Sequence, residues 1–171
     1  MLPTVSLNPR ANRWVLFSFS FLSVSFVAGL VYGWPALRQE LLDDGSSLTE
    51  KQLGAAFTVG AWSTQGNRFI TGLTRDRFGT RIAACLCLTC AAAGSLGIAL
   101  SDASNGAALG TSLFFVGVGS GTQLCVQPVA GLFPKHAGAV LSTLSGAFQI
   151  SGLVFLVLTH VSDSLKASFL G

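Results

Sequence analysis

The sequence predicts an all-helical membrane protein, built as a bundle of transmembrane helices. Half of its 171 residues are hydrophobic, only 10% are charged, and the mean hydropathy is +0.63. Soluble domains carry about 25% charged residues, so this chain lacks the charged surface that a water-soluble protein of its size needs. The composition therefore argues against a soluble enzyme and predicts that lipid covers much of the surface.

Five apolar segments support this prediction, since each can cross a hydrocarbon core of about 30 Å at about 1.5 Å per residue. We expect an N-terminal cytoplasmic tail at 1–13 and a transmembrane bundle at 14–171, with spans at 14–37, 52–73, 82–100, 107–133 and 138–161 and the start of a sixth from 165. The first apolar run exceeds the roughly 7–15 residues typical of a signal peptide. It is therefore interpreted as an uncleaved span.

Aromatic residues and a proline mark the first span. Trp14, Tyr32 and Trp34 lie where an interfacial aromatic belt is expected. Pro35 has no backbone N–H to donate, so we expect it to kink or end the regular helix.

Basic residues sort to one side of the predicted bundle. With the N-terminus inside, six Lys and Arg residues lie in inner segments and three in outer ones: Arg10, Arg13, Arg75, Arg77, Arg81 and Lys135 inside, and Arg38, Lys51 and Lys166 outside. Cytoplasmic segments carry the excess of Lys and Arg. We therefore predict an integral multi-pass protein with a cytoplasmic N-terminus, in the plasma membrane or an organelle membrane.

Small and polar residues recur at helical spacing on four spans, where they allow helix backbones to approach closely. The stripes are Ser18, Ser25, Gly29 and Gly33 in the first span; Thr58, Gln65 and Gly72 in the second; Gly119, Gln123, Gln127 and Gly131 in the fourth; and Gly138, Ser142, Gly146, Gln149 and Gly152 in the fifth. The third span has neither a carboxamide nor a charge, so we expect it to be peripheral.

The four cysteines, Cys85, Cys87, Cys90 and Cys125, lie in apolar runs. Zinc sites combine a C-x(2–4)-C pair with a second ligand pair, which is missing here. We interpret the cysteines as small buried apolar residues and expect no metal and no cofactor. The sequence also lacks nucleophile-elbow, zinc-protease and P-loop motifs, so it names no catalytic residue and predicts a protein that is not an enzyme.

The inner connection between the second and third spans reads Gly-Leu-Thr-Arg-Asp-Arg-Phe-Gly-Thr-Arg over residues 72–81. Gly72 permits close helix packing and Gly79 a tight reversal. Asp76 can face the positive end of a neighbouring helix, and Arg77 and Arg81 can bridge to carboxylates. The segment is interpreted either as a lock that gates one face of a transporter or as an ordinary basic inner loop.

This connection resembles the major facilitator superfamily signature G-x-L-A-D-R-x-G-R-R. Gly72, Asp76, Arg77, Gly79 and Arg81 match it, whereas Thr74, Arg75 and Thr80 depart from it. Residues 29–45, 53–81 and 132–155 are similar to the branch of facilitative large-neutral-amino-acid transporters and their fungal and protist relatives. The resemblance implies the N-terminal six-helix half of a twelve-span carrier, here with five complete spans and the start of a sixth.

Polar residues within the predicted spans are candidates for a substrate pathway: Tyr32, Gln65, Arg68, Gln123, Gln127 and Gln149. The carboxamides can alternatively join helices, at roughly 0.6 kcal/mol per contact, and Tyr32 can belong to the aromatic belt. Arg68 either snorkels to the inner interface or pairs with an anionic group of a solute. No Asp or Glu lies inside a predicted span, which favours facilitated transport.

These patterns predict a transporter that moves a small solute, such as a neutral amino acid, by alternating access. Its partners are expected to be the lipid bilayer, the solute, and either a C-terminal six-helix half or a second copy, with no nucleic acid. The alternative is a non-transporting accessory or scaffold protein, or a half-carrier that acts as a dimer.

Overall fold

The computed structural model describes residues 9–43, 47–100, 105–154 and 156–157, and helices occupy nearly all of them. The α-helices of this part are α1 (Pro9–Ser23), α2 (Trp34–Asp43), α3 (Glu50–Phe78), α4 (Thr80–Leu100), α5 (Gly106–Gly119), α6 (Thr122–Val126) and α7 (Ala137–Ile150). A π-helical turn covers Val24–Ala28, and 3-10 turns cover Leu30–Gly33, Gln127–Leu132 and Ser151–Leu153. The described residues contain no strand, so the all-helical prediction is confirmed for them.

Within the described residues, two elements are apolar and long enough to cross a membrane by themselves, Thr80–Leu100 and Gly106–Leu132. The bent pair Asn12–Ala28 and Leu30–Gln39 adds a third if it is one span. α3 is longer than either, with 29 residues, but it is not apolar enough to qualify, and Ala137–Leu153 is shorter. Two or three crossings are thus supported, and five remain a prediction. The predicted sixth span lies outside the described residues.

The first long element is bent ahead of its proline. Asn12–Ala28 and Leu30–Gln39 meet at 45° across Gly29, so the prediction that Pro35 kinks or ends the helix was wrong. Pro35 is instead the second residue of α2. A first-turn amide has no acceptor within its helix, so the missing N–H of proline costs nothing there.

α3 begins at a capping box and ends at a glycine. Gln52 N–H donates to the Thr49 hydroxyl at 3.4 Å, and Thr49 N–H donates to Gln52 Oε1 at 2.9 Å, which satisfies two amides at the helix start. Arg38 Nη2 donates to Glu50 Oε1 at 2.6 Å and joins α2 to this end. Gly79 then reverses the chain with φ of 86°, a conformation that favours glycine.

α3, α4 and α5 form one closely packed block. A Cβ on Gly94 of α4 would lie 2.6 Å from the Val116 nitrogen of α5, and a Cβ on Gly119 would lie 2.5 Å from the Ala91 Cβ. A Cβ on Gly60 of α3 would meet the Leu113 carbonyl at 3.3 Å. Backbones this close gain many dispersion contacts, which matter most where lipid removes the hydrophobic drive between helices.

The predicted stripes account for only part of this packing. Gly119 packs as expected, but Thr58 and Gln65 are exposed and Gly72 is half-buried. The packed face of α3 carries a different set of residues: Leu53, Ala56, Gly60, Ser63, Thr64, Asn67 and Thr71. Only 33% of the apolar window of α4 is buried, against 61% for Gly106–Leu132, which agrees with a peripheral third span.

A second apolar cluster joins α1 and its π turn to α7 through larger side chains. Val24, Phe133, Leu144 and Phe148 are buried in it. Residues just after Gly29, such as Val31, belong instead to the cluster of the α3–α4–α5 block. The bend at Gly29 therefore lets one element pack in both clusters.

The cysteines differ from one another in burial. Cys87 and Cys125 are buried beside Ala83, Cys90 is half-buried and Cys85 is exposed, and all are free thiols. The prediction of buried apolar residues was therefore wrong for Cys85, which lies on the outward face of α4.

Candidate functional site

A polar and aromatic cluster lies beside the bend of the first element. Gly29 approaches the end of α7 so closely that a Cβ would collide with the Phe148 carbonyl and the Ser151 hydroxyl. The next 3-10 turn presents Tyr32, whose ring lies 5.6 Å from the Phe148 ring in an edge-to-face arrangement. Tyr32 is 45% exposed, so a ligand can reach it.

α3 contributes Gln65 and Arg68, which share a helix face because they are three residues apart. Gln65 Nε2 donates to the Tyr32 hydroxyl at 3.4 Å. The Arg68 guanidinium carbon lies 5.9 Å from the centre of the Phe148 ring, a cation–π distance. No described carboxylate forms an ion pair with Arg68. We call Tyr32, Gln65, Arg68 and Phe148 the polar cluster.

The structure brings three of the six predicted pathway residues together, namely Tyr32, Gln65 and Arg68. Gln149 is exposed next to Phe148 in the chain. Gln123 is buried in α6 and Gln127 is half-buried. No hydrogen bond between described residues joins either glutamine to the polar cluster, so their assignment to the pathway stays a prediction.

The predicted inner loop is mostly helix. α3 continues to Phe78, so Asp76 and Arg77 lie in its last turn, and Gly79 alone separates it from α4. Asp76 pairs with Arg75 (Nη2–Oδ1 3.3 Å) rather than with a helix N-terminus of the described chain. Arg77 and Arg81 are exposed, and nothing described lies within 4 Å of a Cβ at Gly72. The expected close approach at Gly72 is therefore absent from this part, and the gating role remains a prediction.

Arg75, which departs from the family signature, makes the contact between helices at this end. Its Nη1 donates to the Leu124 carbonyl of α6 at 3.1 Å. In a regular helix that carbonyl would accept from the residue four positions later, but this residue is Pro128, which has no N–H. Arg75 therefore satisfies a carbonyl that Pro128 leaves without its helical partner.

Sequence reasoning missed Phe148 and Asn67. Asn67 Nδ2 donates to the Val118 carbonyl at 2.6 Å, and the Ser120 hydroxyl donates to the Thr64 carbonyl at 3.4 Å. These bonds join α3 to the break between α5 and α6. The available signal was the adjacent Gly119-Ser120-Gly121, which weakens a helix and calls for a polar partner.

Comparison with known proteins relates this helical chain to a membrane carrier. The sequence matches no protein-family model, and no solved structure matches it. It is similar to equilibrative nucleobase transporter 1 of Bos taurus, with 26% identity over 168 residues, covering 84% of this chain and 34% of that protein. The chain thus spans about a third of the length of this curated relative.

The apolar helices and this similarity together support a membrane protein related to transporters. The similarity agrees with the prediction that the chain is not an enzyme. It names a nucleobase carrier and no amino-acid carrier, so the amino-acid branch and the major facilitator assignment stay predictions.

Proposed function

We propose that the chain forms a solute-binding helical domain of a transporter that moves small solutes across a membrane by alternating access. The observation that carries this proposal is the polar cluster, which presents an accessible guanidinium, carboxamide and phenol together on a largely apolar bundle. The similarity to a transporter supports it independently. Facilitated movement is favoured because the sequence has no acid within its predicted spans.

The contacts of Arg68 support a binding role beside snorkelling. Arg68 lies five residues before the predicted inner end of the second span at residue 73, or about 7.5 Å at about 1.5 Å per residue, so its long side chain can reach the inner interface. Its guanidinium carbon nevertheless lies 5.9 Å from the centre of the Phe148 ring, and no described carboxylate forms an ion pair with it. A charge held within a predicted span without a described counter-charge is typical of a functional site.

The chemistry of the cluster suits a planar heterocycle with hydrogen-bonding edges. An exposed aromatic ring such as Tyr32 can stack on a flat base, and arginine and glutamine form paired hydrogen bonds with purine edges. We therefore infer that the solute is a nucleobase. A neutral amino acid, whose carboxylate would pair with Arg68, is the competing solute implied by the family resemblance.

The proposed whole carrier is of the major facilitator type, with this chain as a five-span N-terminal region and its N-terminus inside. Alternating access needs a second bundle across the cavity. α3 leaves an aromatic face open beside Gln65, with Trp62 and Phe69 76% and 77% exposed. A second six-helix half, or a second copy, would cover this face.

Uptake measurements test the proposal. The product of the reading frame that encodes this chain, with whatever follows Gly171 in frame, is placed in liposomes and supplied with labelled adenine, guanine or leucine. We expect saturable purine uptake, a loss of at least tenfold in Arg68→Gln, and a rise in KM in Gln65→Ala. Lys51→Gln is the matched control, because Lys51 is exposed in the first turn of α3 and should leave uptake unchanged.

The alternatives give different results. Saturable leucine uptake without purine uptake would replace the nucleobase by an amino acid and keep the transporter. No uptake of any of the three solutes by a protein shown to be folded would reject both and favour the scaffold or accessory protein.

A further inference from the structure

A cavity separate from the polar cluster lies between α1 and the start of α7, at the end of the bundle that we propose to be the inner one. Its volume is about 720 Å³, within the range of about 300–1,000 Å³ typical of ligand pockets. Its lining includes Arg13, Trp14, Phe133, Lys135 and His136. None of these residues belongs to the polar cluster.

The floor of this cavity is aromatic. The Phe133 ring lies 5.0 Å from the Trp14 ring and 6.0 Å from the Phe17 ring. A turn follows Phe133, closed by the His136 N–H donating to the Phe133 carbonyl at 2.8 Å. This turn directs the chain from the inner end of one span into α7.

The rim of the cavity is basic. Arg13, Lys135 and His136 line it, and its described lining includes no acid. The Arg13 guanidinium carbon lies 5.4 Å from the centre of the Phe133 ring, so the side chain is held over the floor. Its Nε is buried and has no hydrogen-bond partner among the described residues. A buried donor without a partner is a site for an acceptor that the described residues do not supply.

The N-terminus of α7 adds to the positive potential. His136 precedes the helix without a side-chain cap, so the amides of the first turn lack a described side-chain acceptor. The positive end of a 14-residue helix attracts anions. A phosphate at the rim could accept from these amides and from the basic side chains together.

We propose that this cavity binds an anionic phospholipid, with the phosphate at Arg13, Lys135 and His136 and the upper part of an acyl chain against Trp14 and Phe17. The aromatic lining favours a lipid over free phosphate, because an acyl chain gains from contact with aromatic rings and a hydrated inorganic anion does not. Basic pockets at the cytoplasmic side of membrane bundles bind acidic headgroups. The inference uses the proposed inner position of this end but does not depend on the solute.

Tryptophan quenching by brominated lipids tests the site in the whole chain. Trp34→Phe with Trp62→Phe leaves Trp14 as the only indole, since the sequence has three. We expect brominated phosphatidylglycerol to compete for the position next to Trp14 at least fivefold better than brominated phosphatidylcholine. A chain that keeps only Trp62, exposed on α3, should show no such preference.

Charge variants identify the rim. Arg13→Gln with Lys135→Gln should reduce the ratio of phosphatidylglycerol to phosphatidylcholine affinity at Trp14 to about one. Arg77→Gln with Arg81→Gln, which removes two exposed charges from the same inner side, should leave most of the preference. Mass spectrometry of lipids retained by the chain with its natural tryptophans repeats the comparison if the single-tryptophan forms fail to fold.

Two outcomes would overturn the proposal. Equal quenching of Trp14 by the two lipids, or a preference that survives neutralisation of Arg13 and Lys135, would mean that no specific headgroup site exists. If inorganic phosphate at millimolar concentration removed the preference at constant ionic strength, the site would belong to a soluble anion. None of these measurements uses solute uptake, so their result is independent of whether the proposed transport is correct.

Discussion

The two apolar clusters are built in different ways. In the α3–α4–α5 block, backbones touch through glycines such as Gly60, Gly94 and Gly119. Between α1 and α7, backbones approach closely only near Gly29 among the described residues. Larger side chains such as Phe133 and Phe148 fill most of the space, and the helices are interrupted by π and 3-10 turns. Interlocked backbones resist displacement, whereas interrupted helices can adjust. The polar cluster lies where the broken element meets the block, so we expect the block to act as the fixed scaffold.

The largest expected effect concerns the glycine contacts of the block. Gly94→Ala should destabilise the chain by about 1–3 kcal/mol, because the new methyl group meets backbone atoms of α5 that cannot move aside. Gly66→Ala on α3 is the matched control, since no described atom of a neighbouring segment lies within 4 Å of its Cβ position. There the gain in helix propensity should stabilise by about 0.5–1 kcal/mol.

Thermal unfolding followed with a thiol-reactive dye checks this prediction, because Cys87 and Cys125 are buried and react when the block opens. Cys85 and Cys90 are first replaced by serine, since Cys85 is exposed and Cys90 is half-buried, and both would react in the folded chain. Equal midpoints for the two alanine variants would mean that the block is not held by backbone contact.

The contact between Arg75 and Leu124 gives the next largest effect. Arg75→Ala should cost about 1–1.5 kcal/mol, near the typical net value of a hydrogen bond, because it leaves the Leu124 carbonyl without its partner while the Arg75 side chain is 30% exposed. In a Pro128→Ala background the alanine N–H can take the place of the guanidinium, and the same change should cost less than about 0.5 kcal/mol.

The same dye assay on the two single variants and the double variant measures this coupling. If the losses of unfolding free energy in the two single variants add up in the double variant, Arg75 acts through something other than the Leu124 carbonyl. Arg77→Ala serves as the control, because Arg77 lies in the same turn of α3 and is exposed.

The smallest effect is expected at the opposite end of α3. Arg38→Gln breaks the ion pair between Arg38 and Glu50. The Arg38 side chain is 36% exposed and the Glu50 side chain 71% exposed. Exposed pairs contribute about 0–1 kcal/mol and are screened by salt. The change in midpoint should therefore be less than half of that for Arg75→Ala and should vanish in 1 M salt. A larger loss that persists in salt would mean that this end of the bundle contributes as much to stability as the α3–α4–α5 block.

Local patterns in the sequence predicted the elements more accurately than their faces. The third span, predicted at 82–100, is α4 at Thr80–Leu100, and the fourth, predicted at 107–133, corresponds to Gly106–Leu132. Hydropathy is a local property, so such bounds can be read along the chain. The stripe predicted on α3 is not the face that packs in the described block, because Gly, Ser, Thr and Asn occur all around this helix, and spacing alone cannot select among its faces.

The site shows the same division. Tyr32, Gln65 and Arg68 were predicted because polar groups are costly within a membrane span and therefore mark candidate functional sites. Phe148 was missed because an aromatic residue in an apolar helix is unremarkable until a cation lies near it. Arg75 was recognised only as a departure from a signature, and its contact with Leu124 depends on a helix 49 residues away in the sequence.

Composition and hydropathy by themselves determined that this is a helical chain suited to lipid, because those properties follow from each residue and its near neighbours. The tertiary structure decided which glycines touch, where the first element bends, and which side chains meet at the polar cluster and at the inner cavity. These features depend on pairs of residues far apart in the chain, and no local pattern contains the distance between them.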